Sequence, residues 1–296
     1  ILAQAMRLPR GSALDEVGWA SARHQLANAA PFSAVVTGSK RRWSSGRWAA
    51  RRKANPRAAL ARTCPCLGDA PLHAAPLLTH HGQIDSEVLG VAASAVGGRG
   101  WFVCRLGPGT ERGLTAAAHE AREAALSGAM QRGGVGVGRL HESPHRSDRV
   151  CWLRDMPSAI ALRKTMDLLR AIGLAISRQE QCGLNLFEST DGMVACYEDG
   201  AYYKPHFDCD RDALRSGSTT ERILTTILYL NLEWRREDGG ALRMLLNEER
   251  AWRQVWPEMG TLVVFRADQV LHEVQAAMAP RVALTLWHIG QERTRT

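Results

Sequence analysis

The sequence predicts an α+β protein: a double-stranded β-helix, or jelly roll, with supporting helices, preceded by a basic and largely disordered extension. Three observations carry this. From Gly192 onward, short runs rich in Val, Ile, Leu, Thr and Tyr alternate with turn residues, as in antiparallel sandwiches and barrels. Before that, a stretch of helix-favouring Ala, Glu and Arg after about residue 110 is followed, between 160 and 176, by apolar residues at helical spacing. The first 84 residues hold 12 Lys/Arg against 3 Asp/Glu, and the remainder 26 against 27, so the net charge of +8 belongs to the amino-terminal part.

The extension, taken as residues 1–88, is rich in Ala, Arg, Pro and Ser, with basic clusters at Lys40-Arg41-Arg42 and Arg51-Arg52-Lys53. Too little apolar surface is available there to offset chain entropy, which favours disorder. Two other readings stay open: an arginine-rich organelle transit segment, and a nuclear-import or nucleic-acid patch. No apolar run is long enough to span a membrane, so no membrane partner is expected. Seven scattered cysteines, with Cys64-Pro65-Cys66 lacking a second pair at zinc spacing, read as reduced thiols of an intracellular protein of the cytoplasm or nucleus. The near-neutral remainder argues against nucleic acid as a partner of the folded domain, expected over 89–292.

Within that domain, Gly100–Cys104 reads as a strand and Gly107-Pro108-Gly109 as a break. Thr110 or Thr115 caps a helix running to about Gln131. A strand follows over 148–153. Pro157 opens a second helix, where Ile160, Leu162, Met166, Leu168, Leu169, Ile172 and Ile176 recur at near-helical spacing and are expected to pack against a sheet. Strands are then predicted at 193–198, 201–208, 222–231, 241–246, 261–265, 270–275 and 281–288. The polar loop 209–221, with Ser216-Gly217-Ser218, reads as a mobile flap.

Chemistry enters at His206 and Asp208. Two residues apart on a strand, they share a face. An imidazole and a carboxylate side by side are two thirds of the set that holds non-haem Fe(II) with positions left open. Alone the pair is a weak signal. His272, on a later strand, supplies the second imidazole. Arg281 follows beyond Met278-Ala279-Pro280, and a hairpin is expected to set it beside His272, its guanidinium free to bind a carboxylate with two hydrogen bonds. Val282, Leu284 and Leu286 alternate with Arg281, Ala283, Thr285 and Trp287, so Thr285 adds a hydroxyl on the arginine's face.

These residues resemble the Fe(II)- and 2-oxoglutarate-dependent dioxygenases, and among them the prolyl 4-hydroxylases that modify hypoxia-inducible factor. The likeness runs in order from about 95 to 290, through Met193–Tyr197, His206/Asp208, Ile227–Asn231, Asp238–Arg243, His272-Glu273-Val274-Gln275 and Arg281–Trp287. Collagen-type enzymes usually carry lysine where Arg281 stands. The resemblance implies Fe(II) on His206, Asp208 and His272, and 2-oxoglutarate on Arg281 with Tyr197 and Tyr229. It implies Trp287 and Tyr203 as cavity walls, O₂ as cosubstrate and ascorbate as reductant. It also implies a monomer acting on a proline-containing protein or peptide, with Arg222 and Arg243 as weaker peptide contacts. Asp208 disfavours a halogenase, which needs that position vacated. The same iron chemistry on another side chain, a free amino acid or a nucleic-acid base is the alternative, and a silent binding module a third.

Overall fold

The structure, a computed structural model, describes residues 68–135, 144–218, 221–246 and 251–293. Three helices form one layer. The first, α1 (Ser86–Gly98), starts at Asp85, whose carboxylate accepts from the amides of Glu87 and Val88. The second, α2 (Glu111–Ser127), buries Leu114 and an alanine stripe at 117, 118, 121, 124 and 125. It stops at Gly128, in the left-handed region with φ 80°, rather than running on to Gln131. The third, α3 (Ile160–Arg178), buries Leu162, Leu169, Ile172 and Ile176 completely, whereas Ile160, at its first position and expected in the packed stripe, is exposed. Each fully buried side chain contributes roughly 1.5–3 kcal/mol. Pro157 lies in the turn before α3 instead of in its first turn, and Ala159 offers no capping side chain. Glu120 of α2 substitutes, its two carboxylate oxygens accepting from the amides of Ala161 and Leu162 at 3.0 and 2.8 Å.

The strands form two antiparallel sheets. The larger runs β1 (Trp101–Arg105), β10 (Thr261–Arg266), β7 (Arg222–Tyr229), β12 (Arg281–Glu292), β5 (Met193–Tyr197), β3 (Arg149–Trp152) and β2 (Gln131–Arg132), with β4 (Leu184–Ser189) also on β12. The smaller runs β6 (Ala201–His206), β11 (Leu271–Ala277), β8 (Leu242–Leu246) and β9 (Ala251–Val255). This is the jelly roll. Alternation on the central strands divides the core in two. Leu224 and Leu228 of β7 and Leu284 and Leu286 of β12 face the helices. Ile227 and Tyr229 of β7, with Ala283 and Trp287 of β12, face the smaller sheet.

Several expectations change. Residues 271–288 are not a hairpin: β11 belongs to the smaller sheet and β12 to the larger, and residues 278–280 cross between them. The boundary expected at 88/89 falls inside α1. Residues from Gly68 already pair with the sheets, through Ala70 N–Gln254 O, His73 N–Val103 O and Leu77 N–Arg105 O, and Leu77 and Leu78 are buried. The rest of the extension lies outside the described residues. Strands β2, β4 and β9 had no alternation strong enough to find; pairing with β3, β12 and β8 makes them strands. The polar loop after Asp208 contains a one-turn helix, α4 (Arg211–Arg215), capped by Asp210. Among the described residues no helix is long and apolar enough to cross a membrane.

Candidate active site

A cavity of about 870 Å³ opens between the two sheets, within the size range of ligand pockets. The smaller sheet provides the metal-type donors. His206 at the end of β6 pairs in register with His272 of β11, and their ring centroids are 4.2 Å apart. Asp208 follows two residues later, and the ligand atoms of all three lie within 4.8 Å of one another. His206 Nδ1 lies 2.8 Å from the Lys204 carbonyl and His272 Nδ1 3.1 Å from that of Val270. Each Nδ1 therefore carries the proton, leaving an Nε2 lone pair for the cluster. Asp208 Oδ1 is 3.6 Å from His206 Nε2, and Oδ2 is 3.7 Å from His272 Nε2. Both gaps are too long for hydrogen bonds, so three lone pairs converge on a common space.

Electrostatics favours the same state. Burial alone would raise the Asp208 carboxyl, but His272 and His206 pull it far below the carboxylate range. Burial lowers the His272 pKa to about 4. At neutral pH the carboxylate is ionised and the His272 imidazole neutral, as metal ligation requires.

The larger sheet provides the cation. Arg281 is only 2% exposed. It donates from Nε to the Gly240 carbonyl at 2.7 Å and from a terminal nitrogen to the Tyr229 hydroxyl at 3.3 Å. Its Cζ sits 4.9 Å from the ring centroids of both Tyr197 and Tyr229. Gly240, at φ 65°, makes the room: a Cβ there would come within 3.0 Å of Arg281 Cδ. No carboxylate of the described residues pairs with this guanidinium. A buried cation without an anion is costly, so the pocket is built for an anionic ligand. Burial raises the Tyr197 and Tyr229 phenols, so both stay neutral donors. Thr285 and Trp287 line the cavity on the same face, and Arg222 lies over the Trp287 ring at 4.1 Å.

Tyr203 stacks on His206 with centroids 3.6 Å apart. Above it lies Arg146, 4.4 Å from the ring and itself held by Asp148 at 2.7 and 2.5 Å. Arg243 does not reach the cavity; it pairs with Glu273 and lies over Trp252. Cys209 does line the cavity, but burial lifts its thiol to about 11, leaving it protonated. The sequence reading missed Arg146, which lines the cavity, and two residues that hold its lining in place: Asp148, bonded to Arg146, and Thr225, bonded to Asp208. Thr225 shares strand parity with Tyr229, which was a usable signal. The Arg146/Asp148 spacing had none, because the partner Tyr203 is brought to it by pairing of residues 145–147 with β6.

Comparison with known proteins agrees with this geometry. Residues 192–289 match the model of the 2OG-Fe(II) oxygenase superfamily. Over 110 residues the chain is 34% identical to Egl nine homolog 1 of Rattus norvegicus, covering 36% of this chain and 30% of that protein. Over 108 residues it is 33% identical to prolyl hydroxylase EGLN3 of Mus musculus, 42% of which is covered. The matches thus span well under half the length of these curated relatives. A prolyl-4-hydroxylase structure from Pseudomonas putida is 28% identical with TM-score 0.56, covering 70% of this chain and all of that one. A prolyl hydroxylase from Trichoplax adhaerens, at 21% identity and TM-score 0.59, covers 69% of this chain and 89% of that one and shares the fold. The match at residues 192–289 thus falls on the part of the chain that carries His206, Asp208, His272 and Arg281.

Proposed function

We propose that the protein is an Fe(II)- and 2-oxoglutarate-dependent dioxygenase that hydroxylates a prolyl residue, at the 4-position, in a protein substrate. One observation carries the reading: a His-Asp-His donor set faces, across a single cavity, a buried arginine with no carboxylate partner among the described residues. The donor set fits Fe(II), since two neutral imidazoles and one carboxylate leave half of an octahedral ion free. Arg281 fits the far carboxylate of 2-oxoglutarate, with the Tyr229 hydroxyl beside it. The bound cofactor set supplies the oxidation: one atom of O₂ leaves in succinate as the keto acid loses CO₂, and the other enters a C–H bond as hydroxyl.

The chain's own part is binding, orientation and exclusion of water. Arg281 and Tyr229 orient the keto acid, with Tyr197 packed on the guanidinium and Thr285 adding a hydroxyl. Trp287, Tyr203 and Arg222 wall the remaining space, where the substrate residue binds. Ascorbate would be the reductant that keeps iron held by His206, Asp208 and His272 as Fe(II). The prolyl assignment is supported by the relatives' names, prolyl hydroxylases and prolyl-4-hydroxylases alike.

The test is mass spectrometry of proline-containing peptides incubated with the protein, Fe(II), 2-oxoglutarate and air, beside the Asp208→Ala variant. One added oxygen located on proline, with the unaltered protein alone, is the expected result. Succinate without oxidised proline moves the acceptor to another substrate class. Iron bound with neither product overturns the catalytic reading.

A further inference from the structure

Resting on the iron reading above, we infer that Thr225 is a positioning residue for Asp208, fixing which carboxylate oxygen faces the metal. Thr225 is fully buried in β7, and its hydroxyl donates to Asp208 Oδ2 at 2.8 Å. Oδ1 stands 3.6 Å from His206 Nε2, beyond hydrogen-bond length. A carboxylate offers about four lone-pair directions on a freely turning bond. The Thr225 hydroxyl on Oδ2 opposes that rotation and leaves Oδ1 turned toward His206.

The placement is imposed by the fold. Thr225 lies on the larger sheet, whereas Asp208 follows a strand of the smaller one, so the bond spans the cavity's two walls. Thr225 pairs directly with Trp287 of β12. The Trp287 indole N–H, buried on the same face, falls short of a full hydrogen bond but also pulls the Asp208 carboxyl down, so it is a weaker donor beside the Thr225 hydroxyl. The next residue, Thr226, is equally buried but faces the helices, with its hydroxyl on the Leu286 carbonyl and near His288. The strand therefore carries two chemically identical side chains, one on each face, and only one addresses the site. Oxygen-by-oxygen control matters here, because a carboxylate binding through both oxygens would occupy a position that the keto acid and O₂ need.

The experiment measures Fe(II) binding alone, by anaerobic equilibrium dialysis of the metal-free protein, with urea unfolding as a check on the fold. Thr225→Val removes the hydroxyl at constant shape and is expected to weaken Fe(II) binding by about 10- to 100-fold. Thr225→Ser restores the donor and stays near the wild-type value. Thr226→Val, the control from the opposite face, leaves the affinity unchanged. If Thr225→Val does not fold, Thr225→Ala replaces it with the same expectation. Wild-type affinity in the hydroxyl-less variant, or equal losses in the Thr225 and Thr226 variants, would overturn the inference. Failure of the wild-type protein to bind Fe(II) would overturn the iron reading itself.

Discussion

Arg281 illustrates how one residue's environment states its purpose. It is among the largest fully buried side chains, held by the Gly240 carbonyl and the Tyr229 hydroxyl, yet no acid of the described residues neutralises it. Replacing it removes the charge that an incoming carboxylate would meet. Arg281→Ala is expected to cost about 2–5 kcal/mol of 2-oxoglutarate binding, roughly 30-fold to a few thousand-fold. Direct titration of the Fe(II)-loaded, anaerobic protein checks this; unchanged affinity would mean the keto acid binds elsewhere. The Tyr203 ring and its Arg146/Asp148 clasp act at the same scale, packing the exposed side of the His206 imidazole.

At the scale of elements, α3 is the member most dependent on its neighbours. Its periodicity was plain in the sequence, but its start is fixed by Glu120 on another helix and its depth by Gly173. Glu120→Ala leaves two amides without acceptors and should destabilise the protein by about 0.5–2 kcal/mol in urea unfolding. Gly173→Ala sets helix propensity against packing. Alanine favours the helix by nearly 1 kcal/mol. A Cβ at 173, however, would sit 2.3 Å from the His288 ring. Overpacking of this kind costs about 1–3 kcal/mol, so net destabilisation is the expected sign. A stabilised Gly173→Ala protein would show that α3 can lift off the sheet without penalty.

For the whole molecule, the joint between helix layer and larger sheet carries a pH dependence. His288 is fully buried between Ser189, 2.9 Å from its Nδ1, and Thr226, 3.3 Å from its Nε2, and burial lowers its pKa to about 4. An unfolded histidine titrates near 6.5. The folded value is depressed, so its contribution is complete above pH 6.5. That contribution falls as the pH drops toward 4, because the unfolded chain takes up the proton first. The loss is on the order of 3 kcal/mol across that window. Denaturant unfolding between pH 7 and pH 4.5 should show the slope, and His288→Gln should flatten it. An equally steep slope in the variant would assign the effect to other groups, His272 foremost.

The sequence alone determined the class of fold, most strand positions and the chemical identity of the site. Those properties are local. Strand alternation decides which face a side chain takes, and His206, Asp208, Arg281 and Thr285 could be read by parity and order. Tertiary structure decided everything that needs two distant segments at once. It set β11 and β12 in different sheets, so that His272 and Arg281 meet across a cavity and not along a hairpin. It drew residues 68–88 into the fold by backbone pairing, which depends little on side-chain pattern. It also brought Thr225 to Asp208 and Arg146 to Tyr203, contacts in which neither partner's neighbours in sequence name the other. Sequence pattern records the direction in which a side chain points; what stands opposite is fixed only when the sheets close on one another.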